Sequence, residues 1–152
     1  MVRQLTDTCH CEQTLNPKAD IGWLLVTASD YLCARADERL KPLGLTAAQY
    51  GVIANLTRGF ETPAQLCQQM RYDRGAMTRL LDRMEAKGLV VRKPHQNDLR
   101  SVRVCLTGKG RAIQPEIAPV IDQLYQQALA GLSDSEARQL SILLSRVIAR
   151  LK

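Results

Sequence analysis

The sequence predicts a mainly α-helical protein with one small β-hairpin. Through most of the 152 residues, apolar side chains recur at three- and four-residue steps, the period of a helix that buries one face. Between residues 89 and 106 the pattern changes to two short runs rich in β-branched residues, separated by a turn-forming stretch. The sequence shows no internal repeat, low-complexity segment or long linker, so we expect a single domain.

Three helices come first in this prediction. The first spans Asp20–Leu40. The second and third each open with a capping box, Thr46–Gln49 and Thr62–Gln65, in which a hydroxyl and an amide satisfy free backbone N–H groups of the first turn. They are expected to end near Gly59 and Met70, which makes the third helix short.

A fourth helix is capped by Asp73 and ended by Gly88, because glycine readily takes left-handed backbone. Its apolar stripe predicts one buried face and consists of Ala76, Met77, Leu80, Leu81 and Met84. After the hairpin, Thr107 opens a long helix whose first half Pro115 and Pro119 should bend or delay.

The last helix begins at a capping box, Ser133–Glu136, and carries an apolar stripe along one side. The first helix carries a similar stripe, and a small three-helix domain cannot cover both. We therefore predict that the terminal helices dimerise. The alternative is that they pack only onto their own subunit.

The positive charge of the chain is concentrated in one window. The whole chain carries 21 Lys plus Arg against 15 Asp plus Glu, a net charge of +6. Residues 71–111 alone contain eleven basic and four acidic residues, and the rest of the chain sums to −1. Such a concentration is typical of a face that binds a polyanion.

Two short helices joined by a tight turn, the second rich in arginine and followed by a basic hairpin, form a winged helix-turn-helix pattern. The second helix of such a unit fits the major groove of DNA, and the hairpin can reach the neighbouring minor groove. On the face opposite the apolar stripe we predict DNA contacts from Arg74, Gly75, Thr78 and Arg79. A solvated charged helix face is the alternative.

Several segments resemble the MarR family of multiple-antibiotic-resistance-type bacterial transcription regulators. They are LTAAQY at 45–50, DRGAMTRLLDRMEAKGLV at 73–90, NDLRS at 97–101 and VCLTGKG at 104–110. The resemblance extends over roughly residues 20–152. It implies dimerisation helices at 20–44 and 107–152, a winged helix-turn-helix domain at 45–106 and, before them, a tail at 1–19.

The resemblance also implies functional roles. Arg100 matches the wing-tip arginine that enters the minor groove, and Ser101 and Arg103 are predicted to contact DNA beside it. Asp98 matches the acid that braces the wing through a salt bridge, a role compatible with capping the turn. Most relatives are homodimeric repressors that bind a pseudo-palindromic operator in double-stranded DNA and release it when a phenolic or aromatic effector or an oxidant arrives.

In the family, the effector pocket lies between the dimerisation helices and the winged domain. Candidate effector-binding residues here are Trp23, Thr27, Ser29, Tyr50, Arg83 and Arg92. Several relatives that sense aromatic acids present Arg or His from the first half of the opening helix, whereas this chain has Val26 and Ser29 in that region. Trp23 is equally consistent with an ordinary core residue.

The five cysteines, at positions 9, 11, 33, 67 and 105, fit no disulfide framework. Cys9 and Cys11 flank His10 and leave three interpretations open: a disordered tail, a thiol-based oxidant sensor, or part of a soft-metal site. The remaining three lie in patterned elements, where a free cysteine behaves as a small hydrophobe.

Other function classes have little support in the sequence. With two histidines, no Ser–His–Asp arrangement and no glycine-rich phosphate loop, the chain is not predicted to be an enzyme or to hold a cofactor or structural metal. It shows neither an apolar stretch long enough for a membrane span nor a signal peptide, so we expect a cytoplasmic protein without a membrane partner. A non-specific DNA-packing protein is the remaining alternative.

Overall fold

The computed structural model describes residues 17–95 and 98–151, and at positions 17, 19, 95 and 98–101 it describes the backbone only. The predicted fold class, mainly α with one hairpin, is confirmed within these residues. The helices are α1 (Pro17–Leu40), α2 (Ala47–Thr57), α3 (Pro63–Met70), α4 (Arg74–Ala86), α5 (Gly108–Ala112), α6 (Gln114–Ala128) and α7 (Asp134–Leu151), and the strands are β1 (Val90–His95) and β2 (Asp98–Leu106). A short 3₁₀ turn, Lys41–Leu43, follows α1.

The chain divides into two compact units, and the boundary lies between Tyr31 and Leu32, inside α1. The described part of the first unit is helical, and its large apolar side chains are exposed. They are Ile21, Trp23, Leu24, Leu25, Val26 and Tyr31. No helix among the described residues is both long and apolar enough to span a bilayer.

The capping boxes at the starts of α2 and α3 are confirmed. In each, a threonine hydroxyl oxygen accepts from the backbone N–H three residues later, Gln49 for Thr46 and Gln65 for Thr62, both at 3.2 Å. The glutamine carbonyl oxygens accept in return from the N–H of Thr46 at 3.3 Å and of Thr62 at 3.0 Å. Short-range sequence signals therefore determine where these helices begin.

The box that begins α7 is also present. The backbone N–H of Ser133 donates to Glu136 Oε2 at 2.8 Å, and the hydroxyl donates to the same oxygen at 2.7 Å. These bonds, the hydroxyl first, lower the pKa of Glu136 because they stabilise its ionised form. No residue of α7 is buried in the single chain, and its apolar side chains face outward.

The core of the second unit collects one apolar face from nearly every element. Its largest fully buried side chains are Leu40, Val52, Leu66, Met77, Leu80, Leu81, Met84 and Val104. Four of these belong to α4, which makes that helix the centre of the core. From α6, Ile117, Ile121 and Leu124 close the same cluster.

The long helix predicted after the hairpin is divided in two. Helix α5 ends at Ala112 and α6 starts at Gln114, with Ile113 between them. Pro115 lies in the first turn of α6, where its missing N–H costs no helical bond. The proline that was expected to bend or delay the helix therefore marks the start of a new one, while Pro119 stays inside α6.

Gly110 in α5 lies against the backbone at the end of the α4–β1 connection. A Cβ atom built on Gly110 would lie 2.0 Å from the carbonyl oxygen of Leu89 and 3.2 Å from Leu106 Cδ2. Thr107, which caps α5, donates its hydroxyl to the Gly88 carbonyl at 2.6 Å. Helix α5 is thus held directly on the base of the hairpin, at a distance that only glycine permits.

We predict that Gly110→Ala destabilises the protein by about 1–3 kcal/mol or more, because the added methyl group must displace backbone. Gly108→Ala is the matched control, since nothing lies within 4 Å of a Cβ built there. The measurement is urea unfolding followed by circular dichroism. Equal stability of the two variants would contradict the close packing of α5 on Leu89.

Candidate nucleic-acid interface

The turn between α3 and α4 is tightly organised. The backbone N–H groups of Arg71 and Tyr72 both donate to the carbonyl oxygen of Cys67, the latter at 3.1 Å. Asp73 then accepts from the N–H of Ala76 at 2.7 Å, which confirms it as the N-cap of α4. The connection is therefore only three residues long, and its bonds fix where α4 begins after α3.

Helix α4 has one buried and one exposed face. Its predicted stripe is buried except for Ala76, which is half-buried, and the opposite face exposes Arg74, Gly75, Thr78 and Arg79. The Thr78 hydroxyl donates to the Arg74 carbonyl at 2.8 Å and keeps its lone pairs free to accept. Arg79 lies over the first turn, because its Nη1 would be 3.4 Å from a Cβ built on Gly75.

The basic residues of the window whose side chains are described, all but Arg100, divide into those that bond to their own chain and those that do not. Those bonded inside are Lys87, Arg92, Arg103, Lys109 and Arg111. The second set, all exposed, consists of Arg71, Arg74, Arg79, Arg83 and Lys93, whose cationic groups make no hydrogen bond or ion pair with the described residues. The cations of the second set lie on α4, on the turn before it and on β1, where they are available to a partner.

Arg92 joins the hairpin to α4. Its Nη1 is 2.7 Å from Asp82 Oδ1 and 2.5 Å from Glu85 Oε2, and its Nη2 donates to the Thr78 carbonyl at 3.2 Å. Its backbone N–H donates to the other oxygen of Glu85 at 2.7 Å. Arg92 therefore pairs with both carboxylates of α4 while it holds β1 against that helix. We call this group the Arg92 clasp.

Arg103, which was predicted to contact DNA, is paired with Glu61. Its Nε lies 2.5 Å from Glu61 Oε2, and Nη2 donates to the other carboxylate oxygen at 2.6 Å. Hydrogen bonding to Glu61 raises the pKa of the Arg103 guanidinium. The N–H of Val104 also donates to the Glu61 carbonyl at 2.7 Å, so β2 is attached to the segment before α3 at two adjacent residues.

The hairpin is antiparallel, with Val90 opposite Leu106 and Pro94 opposite Val102. Between Pro94 and His95 the register shifts, which marks an irregularity near the tip. Backbone positions 98–101 belong to β2, but the side chains of Asp98, Arg100 and Ser101 lie outside the described residues. Their predicted roles therefore remain predictions from the sequence.

Lys87 joins the end of α4 to the start of α2, a contact that sequence reasoning missed. Its Nζ donates to the Gly44 carbonyl at 2.6 Å and to Gln49 Oε1 at 3.0 Å. Gln49 is only 2% exposed, so the second bond helps to satisfy the oxygen of a buried amide. Lys109 in turn donates to the Lys87 carbonyl at 2.8 Å.

A cleft of about 320 Å³ lies between α2 and α6. Its lining residues are Tyr50, Ile53, Ala54, Thr57, Arg58, Gln114, Ile117, Ala118, Ile121 and Asp122. Partial burial raises the pKa of the Tyr50 hydroxyl, with Tyr125 and Asp122 acting in the same direction and Arg58 opposing them. The walls are mainly apolar, and polar groups including a neutral phenol, a cation and a carboxylate are available to orient a ligand.

Of the three predicted effector-binding residues in the second unit, only Tyr50 lines this cleft. Arg83 is exposed on α4 and Arg92 belongs to the clasp, so neither contributes to the lining. In the first unit Trp23 is 67% exposed and Ser29 is exposed. The remaining candidate in that unit, Thr27, is half-buried.

Sequence reasoning missed the polar residues of the cleft, Arg58, Gln114 and Asp122. They come from α6 and from the end of α2, which are more than fifty positions apart, and no local spacing connects them. A bond from Gln114 Nε2 to Thr57 Oγ1, 2.7 Å long, closes one end of the cleft.

Cys9 and Cys11 lie outside the described residues, so none of the three interpretations of that segment is tested. Of the other cysteines, Cys33 is exposed, unlike the buried small hydrophobe that was expected, and Cys67 and Cys105 are half-buried. Within residues 17–95 and 98–151, no group of three or more His, Cys, Asp or Glu side chains is placed to hold a metal ion.

Comparisons with known proteins agree on one family. A family model described as MarR family matches residues 43–101. The multiple antibiotic resistance protein MarR of Escherichia coli (strain K12) is 39% identical over 114 residues, which are 74% of this chain and 79% of that protein. A structure of a mutant E. coli MarR complexed with operator DNA has a TM-score of 0.78 at 34% identity, covering 89% of this chain and 98% of that one.

The transcriptional regulator BldR from Sulfolobus solfataricus also shares the fold. Its TM-score is 0.81 at 24% identity, with 91% of this chain and 99% of that chain covered. These structures confirm the winged-helix prediction for the fold.

We predict that the Arg92 clasp contributes measurably to stability. In a double-mutant cycle with Arg92→Gln and Glu85→Gln, the coupling free energy should be about 1 kcal/mol, a value already reduced for partial solvent screening. The control cycle uses Arg35→Gln and Glu38→Gln, because that ion pair on α1 is 64% exposed at both side chains. Its coupling should not exceed about 0.5 kcal/mol. The coupling free energies are measured by urea unfolding. Equal values in both cycles would show that Arg92 and Glu85 form an ordinary surface ion pair.

Proposed function

The chain belongs to the MarR family, and from that premise we propose that it is a transcriptional repressor that binds operator DNA as a homodimer. The observation that carries the proposal is the exposed face of α4, where Arg74 and Arg79 have no partner among the described residues. The similarity to a MarR structure in complex with operator DNA supports the same interpretation.

In the proposed complex α4 enters the major groove. Arg74, Thr78 and Arg79 supply donors and acceptors to base edges and phosphates, and Gly75 lets the backbone approach the groove floor. Arg100 and Ser101 are proposed to extend the contact from the hairpin into the adjacent minor groove, with Asp98 bracing the tip. We assign Arg103 a supporting role, because its guanidinium is paired with Glu61.

The proposed dimer is supported by the exposed apolar faces of both terminal helices. In α7, Leu143, Val147 and Ile148, which share one side of the helix, are 46%, 39% and 53% exposed in the single chain. In α1, Ile21 and Leu24 are 52% and 55% exposed. Exposed apolar surface of this kind is a feature of protein interfaces. A two-fold dimer would place two copies of α4 about 34–36 Å apart, on successive major grooves.

We propose that a phenolic or aromatic effector binds in the cleft between α2 and α6. The apolar walls suit an aromatic ring, Arg58 is the cation that would pair with a carboxylate, and Tyr50 and Gln114 offer hydrogen bonds. This proposal does not use the other effector-binding residues predicted from the sequence, which are Trp23, Thr27, Ser29, Arg83 and Arg92. The alternative, oxidant sensing through Cys9 and Cys11, stays a prediction from the sequence, because both lie outside the described residues.

Binding to DNA is predicted to be sequence-specific and salt-dependent. Footprinting on the fragment upstream of the gene should protect a pseudo-palindrome with half-sites about ten base pairs apart. Arg79→Gln should weaken binding about tenfold or more, whereas Lys41→Gln, which removes an exposed cation outside the basic window, should change it less than twofold. Uniform protection of every sequence would contradict the repressor hypothesis and favour a non-specific DNA-packing protein.

Effector binding is predicted to stabilise the free protein and to weaken its binding to DNA. DNA should in turn weaken effector binding by the same factor, because linkage between two sites is reciprocal. A thermal-shift screen of phenolic and aromatic acids, repeated with operator DNA, measures both effects. Arg58→Gln should abolish the shift given by aromatic acids, and Lys41→Gln should preserve it. A shift that survives Arg58→Gln would locate the effector outside the cleft.

A further inference from the structure

Arg71 adopts a backbone conformation that is unusual for its residue type. At the C-terminal end of α3 it has φ 56° and ψ 36°, the left-handed region. Among the described residues with positive φ, the other three are glycines: Gly44, Gly59 and Gly88. Left-handed backbone is unfavourable for a residue with a Cβ and costs glycine nothing. The chain thus uses glycine at its other left-handed positions and an arginine here.

Contacts within the described part of the chain give no reason for an arginine at this position. The N–H of Arg71 donates to the Cys67 carbonyl, a bond that glycine would make equally well. The side chain is exposed, and its guanidinium makes no hydrogen bond or ion pair with the described residues. The unfavourable backbone therefore carries an exposed cation whose partner is not among these residues, and such an outlier points to a function.

The position of Arg71 indicates what that partner is. Arg71 lies two residues before Asp73, which caps α4, and therefore beside the end of α4 that also carries Arg74. The first turn of a helix presents free N–H groups and the positive end of its dipole, which together attract phosphate. An additional cation at this point adds to the same attraction.

We propose that Arg71 binds a backbone phosphate of the DNA strand that flanks the groove entered by α4. This inference rests on the proposed function and adds to it a contact that carries no sequence information but fixes the register of α4 on the duplex. The unfavourable backbone at Arg71 is then the cost of having a cation in the turn that leads into α4.

The test compares Arg71→Gly, Arg71→Gln and Arg71→Lys with Lys41→Gln, each assayed on the full-length protein. Arg71→Gly should keep or raise the melting temperature, by up to about 4 °C, because it relieves the backbone. Both Arg71→Gly and Arg71→Gln should lower the affinity for operator DNA about tenfold at ~0.1 M salt. Arg71→Lys should stay within about threefold of the unmutated protein, and Lys41→Gln within twofold.

Two further readouts separate a phosphate contact from a structural role. The slope of log K against log salt should become shallower by about 0.9 per bound chain in Arg71→Gln. Operator and unrelated DNA should lose affinity by the same factor, because phosphate is common to both. If the unmutated protein binds its operator but Arg71→Gln binds equally well with an unchanged slope, the inference is wrong and the proposed function stands. If the unmutated protein binds no DNA, both fail.

Discussion

The arrangement of the interface depends on the burial of one face of α4. Met77, Leu80, Leu81 and Met84 are at most 1% exposed, and each contributes about 1.5–3 kcal/mol by leaving water. Because successive residues of a helix are about 100° apart, burying this stripe fixes the rotation of α4 about its axis. The residues that face outward are then determined by their spacing from the stripe, without any further interaction. A polar substitution in the stripe would disturb the core and the outward face together.

The basic residues between 71 and 111 serve two purposes that composition alone cannot separate. Lys87, Arg92, Arg103, Lys109 and Arg111 bind carbonyl oxygens and carboxylates of their own chain. These bonds hold the hairpin, α4 and α5 in one frame, and they leave the exposed cations near α4 free of internal competition. Only Arg92 and Arg103 are paired with carboxylates, whereas Lys87, Lys109 and Arg111 bond to neutral oxygens and keep their charge at the surface.

Local features of the fold could be predicted from the sequence, and contacts distant in the chain could not. The capping boxes at Thr46 and Thr62 involve residues three positions apart, so spacing reveals them. By contrast, Arg103 meets Glu61 across 42 positions, and the cleft joins α2 to α6. Such pairs form only when the whole core has packed. The break at Ile113 was predicted only in part. Pro115 indicated an interruption of the helix, but the sequence did not decide between a bend and the start of a new helix.

The bond between Lys87 and Gln49 has a mechanical consequence. It fastens the C-terminal end of α4 to the N-terminal end of α2, and α2 is one wall of the cleft. The opposite wall, α6, is separated from α5 and the hairpin by the break at Ile113. Both walls also pack into one buried core, α6 through Ile117, Ile121 and Leu124. Any displacement of α2 at the cleft is therefore passed to α4 through that shared core and through the Lys87–Gln49 bond.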